Sequence, residues 1–384
     1  MPRNLVSGSR RALGTGYEWI CRGGSVSLAA WVGSLPLIYW YFHLLTPSSL
    51  FANLLVVPIA FFILAIALLS LVAMPIGSGL SLIFNNANWS LASAVIAFVQ
   101  WFAQLPGSHY YFGDLHWPRS VRAKITVLDV GAGAAVHLRA SRADWLFDCG
   151  SARDYTRVLR PYLRAAGVNR LKGLLLTHGD SLHIGGADAL LQDFVPQVLI
   201  DNRAPDRSTT HRQLRKMFSE RGLNLPNLRI GESFPVSSNV TARILFPRAG
   251  FNASMADDQT LVVQLSINAA RVLLMSDSGY ATETALIESK ADLRSDILIK
   301  GQHHSGKSGS DAFLEAVQPR LIVTTSCDFP QPERISDEWT ERVCARGIKL
   351  FRQDETGAVA LEFGDRDWKA RAYLTGEIFR SANR

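Results

Sequence analysis

The stretch from Lys172 to Gly186, KGLLLTHGDSLHIGG, gathers residue types that can do chemistry. An apolar run, Leu174 to Leu176, ends at Thr177. His178, Asp180 and His183 follow within six residues, and Gly185-Gly186 then opens an apolar, helix-like segment. Two imidazoles and a carboxylate on a loop leaving a buried strand can converge on one cation. The competing use of Asp180 is to cap the following helix, with the histidines as ordinary polar groups of the loop.

The elements around this loop repeat its pattern. Ile125–Val130, Val136–Arg139, Trp145–Asp148, 173–177, 197–200, 228–231, 241–246, 260–267, 270–275 and 369–374 read as strands. Asp154–Ala166, 184–193 and 280–289 read as helices. Strands in consecutive runs, with helices between and after them, argue for two packed sheets flanked by helices and against a doubly wound parallel sheet. Asp129, Asp148, His178, Asp180, His183, Asp257-Asp258, Asp277 and His303-His304 all follow apolar strand-like runs. Carboxylates and imidazoles on one edge of a sandwich suit a hydrolytic metal site, in which the ion lowers the pKa of a bound water. Asp129 and Asp148 read as holders of loop N–H groups. Arg153, Arg157, Arg160 and Arg164 form a stripe that reads as a solvated helix face; its other use is to track phosphates. The segment Arg203–Arg221 is basic.

Charge divides the chain. Residues 1–24 carry Arg3, Arg10, Arg11 and Arg22 against Glu18, and no Lys, Arg, Asp or Glu occurs from Ser25 to Gly113. An 89-residue uncharged segment cannot cover a soluble surface, so 25–113 reads as a transmembrane region, followed from 121 to 384 by a soluble domain. Val26–Leu45 and Leu54–Ile76 are long spans, and Trp89–Leu105 is a shorter third whose alternative is an interfacial helix. The apolar segments are too long and successive for a removable signal peptide. The N-terminal arginines place the N-terminus in the cytoplasm. Three crossings then put the soluble domain outside the inner membrane, and two would leave it inside. Three spans make a poor channel alone, so other channel subunits or self-association are expected. The net charge of +7, with 35 basic and 31 acidic residues over 121–384, tolerates an anionic partner without demanding one. Cys21, Cys149, Cys327 and Cys344 lack CxxC spacing and suggest neither a zinc knuckle nor a disulfide framework.

At this point the sequence resembles the metallo-β-lactamase fold, an α+β αββα sandwich, and more narrowly the ComEC-type DNA-uptake (competence) family. Leu128–Ala135 (LDVGAGAA) matches LDVGQGDA, Phe147–Gly150 (FDCG) matches IDAG, and Leu176–Gly186 (LTHGDSLHIGG) matches LTHxDxDHIGG. Asp257–Val263 (DDQTLVV), Leu273–Asp277 (LLMSD) and Lys300–Gly306 (KGQHHSG) match NDxSLVL, LLTGD and KxPHHGS more loosely. The membrane third is similar to the end of that family's channel domain through Ala30–Tyr41 and Ala52–Pro58. The departures are specific. Leu182 stands at a metal-loop Asp, Ala134 at the Asp after the Gly-x-Gly turn, and Ser276 at the Gly before Asp277. The larger channel and its preceding soluble domain have no counterpart. These argue against a two-metal nuclease.

The resemblance implies a divalent metal, Zn or Mn, at one ion at most, held by His178, Asp180, His183, Asp258, Asp277 and His304. Asp180 and His304 would be catalytic, His304 steadying the scissile phosphate. It implies a membrane protein of DNA uptake that binds or hydrolyses DNA. The alternative is an inactive binding or assembly module of a membrane channel.

Overall fold

The computed structural model describes residues 8–113, 121–141, 143–202, 208–223, 226, 230–248, 250–251, 253, 255–329, 331 and 334–381. The chain forms two compact units, residues 1–115 (with Arg164–Gly167) and the remainder from His116 onward.

The first unit contains three helices long and apolar enough to cross a membrane: α1 (Gly8–Phe42, its apolar part beginning at Ile20), α2 (Ser49–Ala73) and α3 (Ser78–Ala103). Strands β1 (Leu44–Leu45) and β2 (Tyr110–Tyr111) form a short antiparallel ladder. Helix α3 has 26 residues and begins eleven residues before the expected Trp89, so the third segment is longer than expected and, like the other two, long and apolar enough to cross a membrane. The added turns carry Ser81 and Asn85, polar side chains satisfied against the neighbouring helix: Ser70 Oγ lies 2.9 Å from Ser81 Oγ and donates to Asn85 Oδ1 at 2.8 Å. Such interhelical bonds let polar side chains sit in an apolar bundle.

The second unit is the expected sandwich. One sheet has eight strands in the order β17-β16-β15-β3-β4-β5-β6-β7, and the other seven, β14-β13-β12-β11-β10-β9-β8. In chain order these are β3 (Ala123–Val127), β4 (Val136–Ala140), β5 (Ala143–Phe147), β6 (Gly173–Leu176), β7 (Val198–Asp201), β8 (Ser233–Ser237), β9 (Val240–Phe246), β10 (Val262–Ile267), β11 (Ala270–Ser276), β12 (Ile297–Gly301), β13 (Leu321–Thr325), β14 (Lys349–Arg352), β15 (Val359–Phe363), β16 (Trp368–Ala372) and β17 (Ile378–Arg380). The strand expected near 228–231 falls on 228–229, outside the described residues, and on a turn at Ile230-Gly231.

Alternation decides which side chains meet. Ile125, Val127, Leu138, Trp145 and Phe147 from one sheet and Val263, Leu265, Val272, Ile299 and Val323 from the other close a buried core between the sheets. The residues between them in sequence, Val262, Leu273, Leu298 and Ile322, face outward beneath the helices Tyr280–Glu288, Asp311–Val317 and Asp337–Ala345.

β5, β6 and β7 run parallel, as do β11 to β14, so their carboxyl ends lie on one edge. Ligands bind open α/β sheets on that edge. The helix expected over 184–193 is two, Ser181–Ile184 and Ala187–Asp193. It breaks at Gly185-Gly186 because the backbone there packs against its neighbours: a Cβ on Gly186 would stand 2.6 Å from Tyr155 Cβ and 2.7 Å from Cys149 O.

Candidate metal centre

The site is assembled from strand ends. β5 runs into Asp148, β6 into Thr177 and His178, β11 into Ser276 and Asp277, and β12 through Gly301 to His303. The two sheets are laced together there. Leu261 N–H donates to Thr177 O at 2.8 Å, and Asn202 Nδ2 donates to Thr177 O and Gln259 O at 2.7 Å each. Gly301 is required beneath Asp277, because a Cβ would overlap its carboxylate.

Asp148, His178 and His183 are buried, and their donor atoms lie within 4.8 Å of one another, a grouping that can hold a metal ion. Asp148 Oδ1 accepts Thr177 N–H at 2.8 Å. Its Oδ2 accepts the Thr177 hydroxyl at 2.6 Å and lies 2.9 Å from His183 Nδ1. The other imidazole nitrogens point to Asp277, whose Oδ2 is 2.6 Å from His183 Nε2 and 4.0 Å from His178 Nε2. The shorter contact misses the direction of a hydrogen bond, and Nε2 of His178, His183 and His303 has no hydrogen-bond partner. Buried unsatisfied nitrogens cost about 1–3 kcal/mol each. Two of them beside a carboxylate fit a cation, and imidazole with carboxylate suits zinc or manganese.

Charge follows the geometry. Burial depresses the His183 pKa, but the Asp277 charge and the hydrogen bond that Nδ1–H donates to Asp148 outweigh it and hold the group well above its ordinary value. Burial, then the neighbouring His183, push His178 down. Burial raises Asp277, yet the charges of His183, His178 and Lys300 bring it below the usual carboxylate range.

A second polar pair lies alongside. Asp258 Oδ2 is 3.4 Å from His303 Nε2, and Asp258 Oδ1 accepts Gly279 N–H at 3.2 Å. The His303 ring packs against Gly279, where a Cβ would come within 2.6 Å of it. Burial lowers His303, but the close negative charge of Asp258 leaves it raised.

Among the residues expected at the site, His178, His183 and Asp277 are brought together. Asp180 is not among them: its Oδ1 accepts Leu182 N–H at 2.7 Å as the N-cap of Ser181–Ile184, so that carboxylate serves the helix. His304 is a correction. It is exposed, with its N–H donating to Asp257 Oδ2 at 3.2 Å, while His303 is 3% exposed. The cause is a tight turn after β12, in which Gly306 N–H donates to His303 O at 2.7 Å and Gly306 takes a φ of +72°. Asp129 accepts Gly131 N–H at 3.3 Å, as expected of a turn carboxylate. Asp148 does hold a backbone N–H, but it also joins the two histidines. Arg153 and Arg157 are exposed, and Arg160 lies 3.6 Å from Asp193. Asn202 and Thr177 carried no sequence signal of their own; their positions follow from strand ends meeting across the two sheets.

Residues 4–134 match the family model described as competence protein, and residues 129–320, half of the chain, match that of the metallo-beta-lactamase superfamily. The chain is 30% identical over 244 residues to competence protein ComA of Neisseria gonorrhoeae, covering 63% of this chain and 32% of that protein. It is 21% identical over 264 residues to ComE operon protein 3 of Bacillus subtilis strain 168, covering 64% and 34%. It thus spans about a third of the length of these relatives. Among solved structures it is similar to Igni18, a metallo hydrolase of Ignicoccus hospitalis, at 14% identity and a TM-score of 0.44 over 62% of this chain and 99% of that one. The chain belongs to the metallo-beta-lactamase superfamily, with a segment matching the competence-protein model ahead of that domain.

Proposed function

We propose that the chain is a membrane-anchored component of DNA uptake whose sandwich domain holds one divalent metal ion and acts on DNA phosphodiesters. The observation that carries this reading is the pair of buried, unpartnered Nε2 atoms of His178 and His183 beside Asp277. These three side chains would hold the ion, zinc or manganese, and Asp148 would orient His183 from behind. When bound, such an ion activates water and offsets charge on a phosphate oxygen. His303 and Asp258 stand next to this cradle and supply a hydrogen-bonding pair for substrate. Leu182 offers no donor atom, which supports one ion and not two. The membrane helices and the competence relatives support DNA as the substrate, the inner membrane as the location, and other channel subunits as partners.

The test is metal content by elemental mass spectrometry on the detergent-purified full chain, followed by cleavage of single- and double-stranded DNA. About one equivalent of metal, lost in His178→Ala, with metal-dependent cleavage, supports the proposal. One equivalent without cleavage reduces the domain to a binding or assembly module. No metal in the folded chain overturns it.

A further inference from the structure

The Thr177 hydroxyl sits at a junction that the metal ligands alone do not account for. It lies 2.6 Å from Asp148 Oδ2, 3.0 Å from His178 Nδ1 and 3.0 Å from Ser276 Oγ. A hydroxyl has one proton and two acceptor lone pairs, and an ionised carboxylate only accepts. The proton of Thr177 therefore goes to Asp148, and His178 Nδ1 and Ser276 Oγ must both donate to Thr177. His178 then carries its proton on Nδ1 and leaves Nε2 bare. On the same carboxylate oxygen, His183 Nδ1 donates to Asp148 at 2.9 Å, which turns its Nε2 toward Asp277. Nε2 of His178 and Nε2 of His183 are the ring nitrogens without a hydrogen-bond partner beside Asp277.

Ser276 supplies a second, independent observation. It stands where the resembling family has glycine, and its φ is +49°, a left-handed conformation that costs an L-residue about 1–2 kcal/mol. Its hydroxyl reaches Thr177 Oγ1 and lies 3.4 Å from His183 Nδ1. Glycine would remove the strain and the hydroxyl together.

We infer that Thr177 and Ser276 are positioning residues, a hydroxyl relay that with Asp148 fixes the tautomer of His178 and the orientation of His183 so that both rings present Nε2 to a metal. The inference rests on the metal reading above for its purpose but not for its geometry. Outer partners of this kind typically change metal affinity 10–100-fold when removed.

The test uses the full chain in detergent, labelled with 15N-histidine, with the His178 signals identified by their loss in His178→Asn. In the metal-free wild type, His178 should show a protonated Nδ1 and a bare Nε2. Thr177→Val should move a large part of the population to the opposite tautomer, and Thr177→Ser should restore it. Ser276→Gly, which the backbone accepts without strain, should shift a smaller part in the same direction. A wild-type His178 protonated on Nε2, or a Thr177→Val spectrum like wild type, overturns the relay. Zinc titration of the same samples reads the metal separately: an intact tautomer in a chain that takes no zinc defeats the metal proposal and leaves the relay standing.

Discussion

His183 is held between two carboxylates, with Asp148 Oδ2 2.9 Å from its Nδ1 and Asp277 Oδ2 2.6 Å from its Nε2. In the metal-free fold this keeps the imidazole protonated well above the ordinary histidine range. That pairing stabilises the fold fully below about pH 6.5 and is lost as pH rises through the raised value. A metal must displace the Nε2 proton, so the metal affinity should rise roughly tenfold per pH unit below that value and level off above it. Zinc titration against a competing chelator from pH 6 to 8 measures the slope. An affinity independent of pH would mean that His183 enters the site neutral.

Asp180 gives a prediction opposite to its place in the metal loop. Because its carboxylate caps Ser181–Ile184, Asp180→Ala should cost about 1 kcal/mol of stability, and Asp180→Asn, an equally good cap, very little. Zinc affinity should stay within about threefold in Asp180→Asn, a small change beside the 10–100-fold expected for ligand support. A loss of the bound metal in Asp180→Asn would return Asp180 to the ligand set.

Most of the architecture was legible because alternation and strand-end polarity are local signals. The two sheets, the ligand loop and the Asp277 turn follow from runs such as Leu174–Leu176 and Leu273–Met275. What was not legible depends on the path of the chain after a strand ends. His303 and His304 are adjacent and chemically identical, and only the Gly306 turn decides which of them faces inward. Asp180 could not be separated from a ligand because an N-cap and a metal site both ask for a carboxylate at the start of a helix.

The His303 turn makes its own prediction. His303→Ala removes a ring that is 3% exposed, leaves a gap beside Gly279 and strips Asp258 of its partner. A loss of about 1–3 kcal/mol follows from that class of change. His304→Ala, at an exposed position, should fall within about 0.5 kcal/mol. Thermal unfolding of the two variants in parallel separates them, and equal shifts would place both rings in the interior.

Three crossings from a cytoplasmic, arginine-bearing N-terminus would put the sandwich domain on the extracytoplasmic face. Cys344 in that domain is an exposed thiol. In intact spheroplasts a membrane-impermeant maleimide should label Cys344. Labelling of Cys344 only after lysis would reverse the topology.

Lys300 offers a prediction away from the ligands. Its ammonium is buried, donates to Gly301 O at 2.7 Å and lies 4.9 Å from the Trp339 ring, and burial lowers its pKa to about 8 despite the opposing charges of Glu283 and Asp277. Below pH 8 both the folded and unfolded chains carry the proton. Between about 8 and the ordinary 10.5 the unfolded chain holds more protons, so this group makes the fold more stable as pH rises across that window. At about 1.4 kcal/mol per unit the full effect is roughly 3 kcal/mol. Cys149 and Tyr162, whose pKa values burial raises, act in the opposite direction over the same range. The informative quantity is therefore the stability difference between wild type and Lys300→Met, in which those contributions cancel. Measured by denaturant unfolding, that difference should move toward wild type by up to roughly 3 kcal/mol from pH 7.5 to 10.5. A difference that stays flat with pH would show that Lys300 titrates as an ordinary exposed lysine and that the charge beneath the His303 turn reaches solvent.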